Sequence, residues 1–213
     1  ILASDHLGRL LIRLSLPAMV GMMVMVLYNV VDMIFVGRWV GALGIAGISI
    51  AFPIQLFILA IGQMLGFGGA SVVSRSLGKG DQSRADGTLG NVILCALIFA
   101  ALLVSIGGFF LEPLMRLFGA TDSILPYAAN YTGVILFGSI FFAFGISTNN
   151  LIRAEGRAMV ALSTMLISAG LNIILDALFI IVMGWGIRGA AAATVMAQAA
   201  SAIYIAYYFF GGK

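Results

Sequence analysis

Charge is what this chain lacks most. Only 9% of its 213 residues are Asp, Glu, Lys or Arg, where a water-soluble domain carries roughly 25%. With 62% apolar residues and a mean hydropathy of +1.14, the chain reads as a polytopic membrane protein. The eleven Lys and Arg give a net charge of +3 but form no run of the kind that holds nucleic acid. The single cysteine, Cys95, excludes an internal disulfide, and its place in the apolar run from Val92 to Val104 predicts a packed core thiol. The single histidine, His6, stands alone outside the first apolar run and reads as an interfacial residue rather than a ligand. No H-E-x-x-H or G-x-S-x-G pattern is present, so no metalloprotease or serine-hydrolase chemistry is offered and the chain is read as no enzyme.

Six apolar runs are present: 14–36, 43–73, 89–110, 124–151, 159–183 and 187–210. Each exceeds the ~20 residues that a helix needs to cross a bilayer. The fold class is therefore all-α, a bundle of six transmembrane helices forming a single domain over residues 1–213. The second and fourth runs are longer than one crossing, which predicts tilt or a kink near Pro53 or Pro126, and the first should bend early at Pro17. The first run is too long for a cleaved leader and is expected to persist in the mature protein. The stretch from Gly78 to Gly87 reads as a solvated turn. If the spans alternate in direction, Arg9, Arg13, Arg75, Lys79, Arg84, Arg153, Arg157 and Lys213 share one side, against Arg38, Arg116 and Arg188 on the other. The cation-rich side is expected to be cytoplasmic, with both termini, in a cell membrane.

Two carboxylates fall inside these runs, Asp32 in the first and Asp176 in the fifth. An ionised group at the centre of a membrane helix costs about 2.5–3.5 kcal/mol on the most lenient insertion scale, so an intramembrane Asp is a functional candidate by default. Counting ~1.5 Å per helical residue from the outer ends of the spans, Asp32, Asp176 and Thr194 come to similar depth. Asn172 is one turn before Asp176, and Tyr28 one turn before Asp32. Two carboxylates, a carboxamide oxygen and a hydroxyl make an oxygen cage for a small hard cation such as Na⁺, which backbone carbonyls of a distorted helix could complete. A proton would suit the same groups, and the residue types do not separate Na⁺ from H⁺. A plainer alternative has the two acids only tying helices together through hydrogen bonds. Gln55 and Gln63, eight residues apart, should face the interior or a water-filled path.

Other patterns read as packing. Gly184-Trp185-Gly186-Ile187-Arg188-Gly189 satisfies G-x-G-x-x-G but joins two spans, with no strand before it, and predicts a tight turn rather than a dinucleotide site. The pairs Gly37/Gly41 and Gly62/Gly66, and the run Ala190–Ala193, predict close helix approach.

Leu16-Pro17, Leu27-Tyr28-Asn29-Val30-Val31-Asp32, Phe35-Val36-Gly37, Arg153-Ala154-Glu155-Gly156, Asn172-Ile173-Ile174-Leu175-Asp176 and Gly186-Ile187-Arg188-Gly189-Ala190-Ala191 leading into Thr194 occur in this order. Together they resemble the multidrug and toxic compound extrusion (MATE) transporters, in particular the prokaryotic DinF-like branch. The resemblance covers the N-terminal six-helix lobe only. It implies a secondary-active exporter of bulky, often cationic organic compounds, an antiporter driven by Na⁺ or H⁺ and needing no other cofactor. It also implies a cation site of Asp32, Asn172, Asp176 and Thr194 with the Ala190 carbonyl as a backbone ligand, and a supporting tyrosine at Tyr131. Such transporters carry two lobes, so a missing second lobe or a homodimer partner is expected. The alternatives are a non-transporting membrane subunit or scaffold and an intramembrane aspartyl protease, for which the expected G-x-G-D motif is absent.

Overall fold

Within hydrocarbon every backbone N–H and C=O must find its partner inside the chain, which leaves the helix as the way for these apolar runs to cross. The computed structural model describes residues 7–211, and among them every long element is a helix. In chain order these are α1 (Leu7–Trp39), α2 (Ala42–Gly78), α3 (Gln82–Phe109), the short α4 (Leu111–Leu117), α5 (Leu125–Ala154), α6 (Ala158–Asp176) and α7 (Gly186–Phe210). A π-helical segment, Ala177–Val182, continues α6 without a break. Six of the helices are long and apolar enough to span a membrane, as the sequence predicts. The expected bend sites leave the helical assignment intact: α1 runs through Pro17 and α2 through Pro53. Pro126 instead opens the first turn of α5, where its missing N–H would have had no partner. His6 lies outside the described residues.

One short helix is added to the expected six, and three expectations are corrected. A seventh helix, α4, fills the segment between the third and fourth spans; its seven residues were too few to stand out as a periodic run. The stretch from Gly78 to Gly87 is not an extended turn, because α2 reaches Gly78 and α3 starts at Gln82. Asp81 caps α3 there, its Oδ1 accepting the Arg84 N–H at 3.0 Å. Cys95 is exposed on the outer face of α3 and is no core thiol; hydropathy alone could not tell a lipid-facing position from a buried one. Gly41 does not serve helix approach either: nothing lies within 4 Å of a Cβ built on it, and its φ of 95° turns the chain between α1 and α2.

Helix α5 is the axis of the bundle, packed on α2, α3 and α7, while α6 lies against α7 and α1. Lipid tails give two apolar helices no reason to prefer each other, so close approach over small residues has to supply the attraction. A Cβ on Gly62 would stand 3.2 Å from Ile146 Cγ2, and one on Gly66 3.1 Å from Ser147 Cα. The backbones of α2 and α5 are close enough there for Ser147 Oγ to donate to the Gly62 carbonyl at 3.1 Å. Ala190, Ala191 and Ala193 are fully buried, as their small size predicts. Large side chains such as Met23, Phe67, Leu102, Phe137 and Ile203 point outward instead, the arrangement of a lipid-embedded surface.

Candidate cation site

Three helices deliver the polar groups to one place. Asp32 comes from α1, Asn172 and Asp176 from successive turns at the end of α6, and Thr194 from α7 one turn beyond Ala190. Asp176 is 0% exposed, Asn172 1% and Asp32 7%. The two carboxyl groups, expected from depth alone to share a layer, meet across the α1–α6 contact closely enough to interact directly. Tyr28 and Tyr131 stand near the same pair.

Hydrogen-bond donors are what this cluster lacks. Asp32 Oδ1, both Asp176 carboxylate oxygens and Asn172 Oδ1 are buried without a hydrogen-bond partner among the described residues. Buried polar groups are bonded in the great majority of cases, and leaving an acceptor bare costs about 1–3 kcal/mol, more when it is charged. Four bare oxygens from three side chains therefore define a place that favours a cation or a proton. Acids that only tie helices together need donors to tie to, and three of these carboxylate oxygens meet none unless a proton is shared between the two acids.

The remaining bonds fix the geometry. Asn172 Nδ2 donates to Thr194 Oγ1 at 3.3 Å, and the Thr194 hydroxyl donates to the Ala190 carbonyl at 3.1 Å. The Ala190 oxygen thus already holds the Thr194 hydroxyl. Among the described residues no three His, Cys, Asp or Glu side chains cluster, so a cation here would be held by two carboxylates and neutral oxygens, a set suited to a hard ion rather than a transition metal.

A cavity of about 140 Å³ opens onto Asp32 and is also lined by Tyr28, Gln55, Tyr131 and Thr194. Asn172 and Asp176 are not in its wall, so Asp32 is the acid of the pair that meets the open space, with Thr194 beside it. Gln55 Nε2 donates to Tyr131 Oη at 3.2 Å, joining α2 to α5 over this cavity. All eight residues predicted for the site and its path are therefore brought into one neighbourhood. Sequence reasoning missed Ser139 and Gln198, which also line the cavity. Gln198 lies one turn after Thr194, a spacing that could have found it; Ser139 sits among apolar neighbours and gave no such signal. Asn149 lies outside this cluster, tied to Arg153 and to α6. Sequence reasoning did not locate the π-helical segment directly after Asp176, and wide turns of this type are common at functional sites.

Six membrane-length helices around a buried pair of acids define a multi-pass membrane protein with a polar site inside its bundle. The chain belongs to the MatE family, whose model matches residues 17–178. It is 31% identical over 198 residues to the FAD transporter of Shewanella oneidensis, a match covering 91% of this chain and 44% of that protein. It is 27% identical over 199 residues to the multidrug export protein MepA of Staphylococcus aureus strain MRSA252, covering 93% of this chain and 44% of the relative. Among solved structures, an outward-facing multidrug resistance MATE transporter of the MOP superfamily superposes with a TM-score of 0.89 at 33% identity, covering 94% of this chain and 44% of that one. The chain thus spans a little under half the length of the relatives it matches. The proteins it matches bear the names of exporters and transporters, not of enzymes.

Proposed function

We propose that this chain is the N-terminal lobe of a secondary-active exporter of bulky organic compounds, cationic ones among them, and that Na⁺ or H⁺ entering at Asp32, Asn172, Asp176 and Thr194 drives it. The observation that carries the reading is the set of four buried oxygens without donors on α1 and α6. A coupling ion must be held tightly enough to be captured and loosely enough to be released. Two carboxylates that repel each other when both are ionised meet that demand, because one cation or proton between them relieves the repulsion. Asp32, the member that faces the cavity, is the group through which the ion enters. A cationic compound in the same cavity would compete with the ion for the Asp32 charge, which is a simple basis for exchange.

The partner in the transport cycle is a second six-helix lobe, or a second copy of this chain related by a twofold axis along the membrane normal. Alternating access then amounts to one body rocking on the other about the ion site. The excess of Lys and Arg at the ends holding residues 75–84 and 153–157 supports cytoplasmic termini in the cell membrane.

The test is ion binding by the purified chain in lipid nanodiscs, read as Na⁺- or pH-dependent thermal stabilisation. The wild type should be stabilised and both Asp32→Asn and Asp176→Asn should lose the effect. Unchanged ion dependence in both variants removes the reading.

A further inference from the structure

A second cavity, of about 340 Å³, lies towards the opposite ends of the helices and carries charge of the other sign. Among the described residues its one charged lining residue is Arg153, in the last turn of α5, and no Asp or Glu borders it. Five residues, Met25, Tyr28, Leu59, Phe142 and Gln198, line both cavities, so the two adjoin along α1 and α7.

Arg153 does not behave as a residue parked at the membrane surface. A cation at a helix end ordinarily snorkels, its head reaching for water and lipid phosphates. Arg153 instead is only part-exposed: its Nη2 donates to Asn149 Oδ1, one turn back on α5, at 2.5 Å and lies 4.0 Å from Met165 Sδ on α6. Asn149 is itself held: its Nδ2 donates to the Ala161 carbonyl at 3.0 Å and to Thr164 Oγ1 at 2.6 Å. Ser201 on α7 braces the same place by donating to the Thr164 carbonyl at 3.0 Å. A network over three helices thus fixes the guanidinium against the cavity wall. A guanidinium has five N–H donors, and among the described residues Arg153 meets no carboxylate; the one ion pair found there is Arg116–Asp122. The remaining lining is largely apolar, with Met22, Phe141, Phe142 and Ile146 beside the cavity.

We infer that this cavity binds an amphipathic organic anion, its phosphate, carboxylate or sulfonate head on Arg153 and its apolar body along the Met and Phe wall. The forked donors of a guanidinium match the paired oxygens of such a head. The volume falls within the roughly 300–1,000 Å³ usual for small-molecule sites. Flexible Met side chains would let the body vary in shape. The head group could belong to a soluble amphiphile or to an anionic lipid, and both offer the same chemistry. This site adjoins the cation site but is centred on Arg153 rather than on the two acids, and it goes beyond the exporter reading.

Equilibrium binding to the intact chain in phosphatidylcholine nanodiscs tests it, with octyl phosphate as the probe and octyltrimethylammonium as its cationic counterpart. Octyl phosphate should bind more tightly, and Arg153→Gln should weaken it roughly 10- to 100-fold, the effect of losing a hydrogen bond to a charged group, while leaving octyltrimethylammonium unchanged. Arg153→Lys should retain part of the preference. Should Arg153→Gln fail to fold, the wild type still decides, because octyl phosphate binding must then fall with added NaCl and octyltrimethylammonium binding must not fall in parallel. Equal affinity for the two probes, salt-independent octyl phosphate binding, or unchanged binding by a folded Arg153→Gln overturns the inference. Phosphatidylglycerol in the nanodisc separates the sources: competition with octyl phosphate assigns the site to a lipid head group, and no competition assigns it to a soluble amphiphile. None of these readouts involves Asp32 or Asp176, so a failure here leaves the cation site standing, and the reverse.

Discussion

Asn172 Nδ2 donates to Thr194 Oγ1 at 3.3 Å, and that bond determines which end of the carboxamide faces the acids. The Thr194 hydroxyl spends its own proton on the Ala190 carbonyl and can only accept from Asn172. The amide therefore turns its oxygen away from Thr194, and Asn172 Oδ1 is left as one of the bare acceptors. Thr194 orients a ligand as well as being a candidate ligand. Replacing it by Val keeps the shape and removes the acceptor. Cation affinity should fall by roughly tenfold, equivalent to about 1.4 kcal/mol, while Thr194→Ser should stay near wild type. Isothermal titration with NaCl, or proton uptake on a pH jump if the coupling ion is H⁺, distinguishes the two variants. Wild-type binding by Thr194→Val would show that Asn172 needs no such guide.

Asp176→Asn separates stability from binding. The Asp176 carboxylate is completely buried with both oxygens unpartnered, so without an ion the wild type carries an uncompensated penalty, which an isosteric neutral amide lowers. The ion-free variant should melt at or above the temperature of the ion-free wild type. Saturating ion should then stabilise the wild type by about 2.7 kcal/mol at a hundred times its Kd and leave the variant unmoved. A variant that is both less stable and still ion-sensitive would place the site elsewhere.

The fold was legible because a bilayer imposes a length rule that local context hardly disturbs: every run longer than ~20 apolar residues became a spanning helix. The acids were legible for a related reason, since Asp32 and Asp176 stand out against a hydrocarbon background. Depth along a helix can also be counted from sequence, which brought Asp32, Asp176 and Thr194 into one layer. Azimuth was harder. Cys95 and the residues around it are apolar on every side, so nothing in the sequence said which face met lipid, and the thiol proved to point outward. The orientation of Arg153 was illegible as well: Asn149 sits one turn before it on α5, but Asn149 is itself held by the Ala161 carbonyl and Thr164 of α6, a tertiary contact that spacing does not show. The short α4 gave no periodic signal.

Tyr131 and Gln55 join α5 to α2 through a single bond of 3.2 Å above the cavity that opens onto Asp32. Tyr131→Phe and Gln55→Met each remove one end of it. Each alone should cost about 0.5–1.5 kcal/mol of stability, and the double variant should cost less than the sum, with a coupling energy of about 0.5 kcal/mol or more. A double-mutant cycle on chemical denaturation in mixed micelles measures this directly. Full additivity would mean that the contact contributes nothing.

Gly189 tests whether the wide turn after Asp176 matters to the site. A Cβ there would stand 3.0 Å from the Phe179 carbonyl oxygen and 3.1 Å from its carbonyl carbon, both backbone atoms of the π-helical segment. Neither can swing away as a side chain would, so Gly189→Ala must push α7 and this segment apart. The segment begins at the residue after Asp176, and α7 carries Thr194 little more than one turn on from Gly189, so the displacement reaches both sides of the ligand set. Stability should fall by about 1–3 kcal/mol, the usual range for an overpacked interior, and ion affinity should fall with it. Gly170→Ala on α6 is the control: nothing lies within 4 Å of its Cβ, and Ala is about 1 kcal/mol better than Gly inside a helix. Thermal melts with and without ion, run on both variants, isolate the effect of position. If Gly189→Ala loses stability yet binds the ion as the wild type does, the π-helical segment is a packing feature and the site is held by α1 and the straight part of α6 alone.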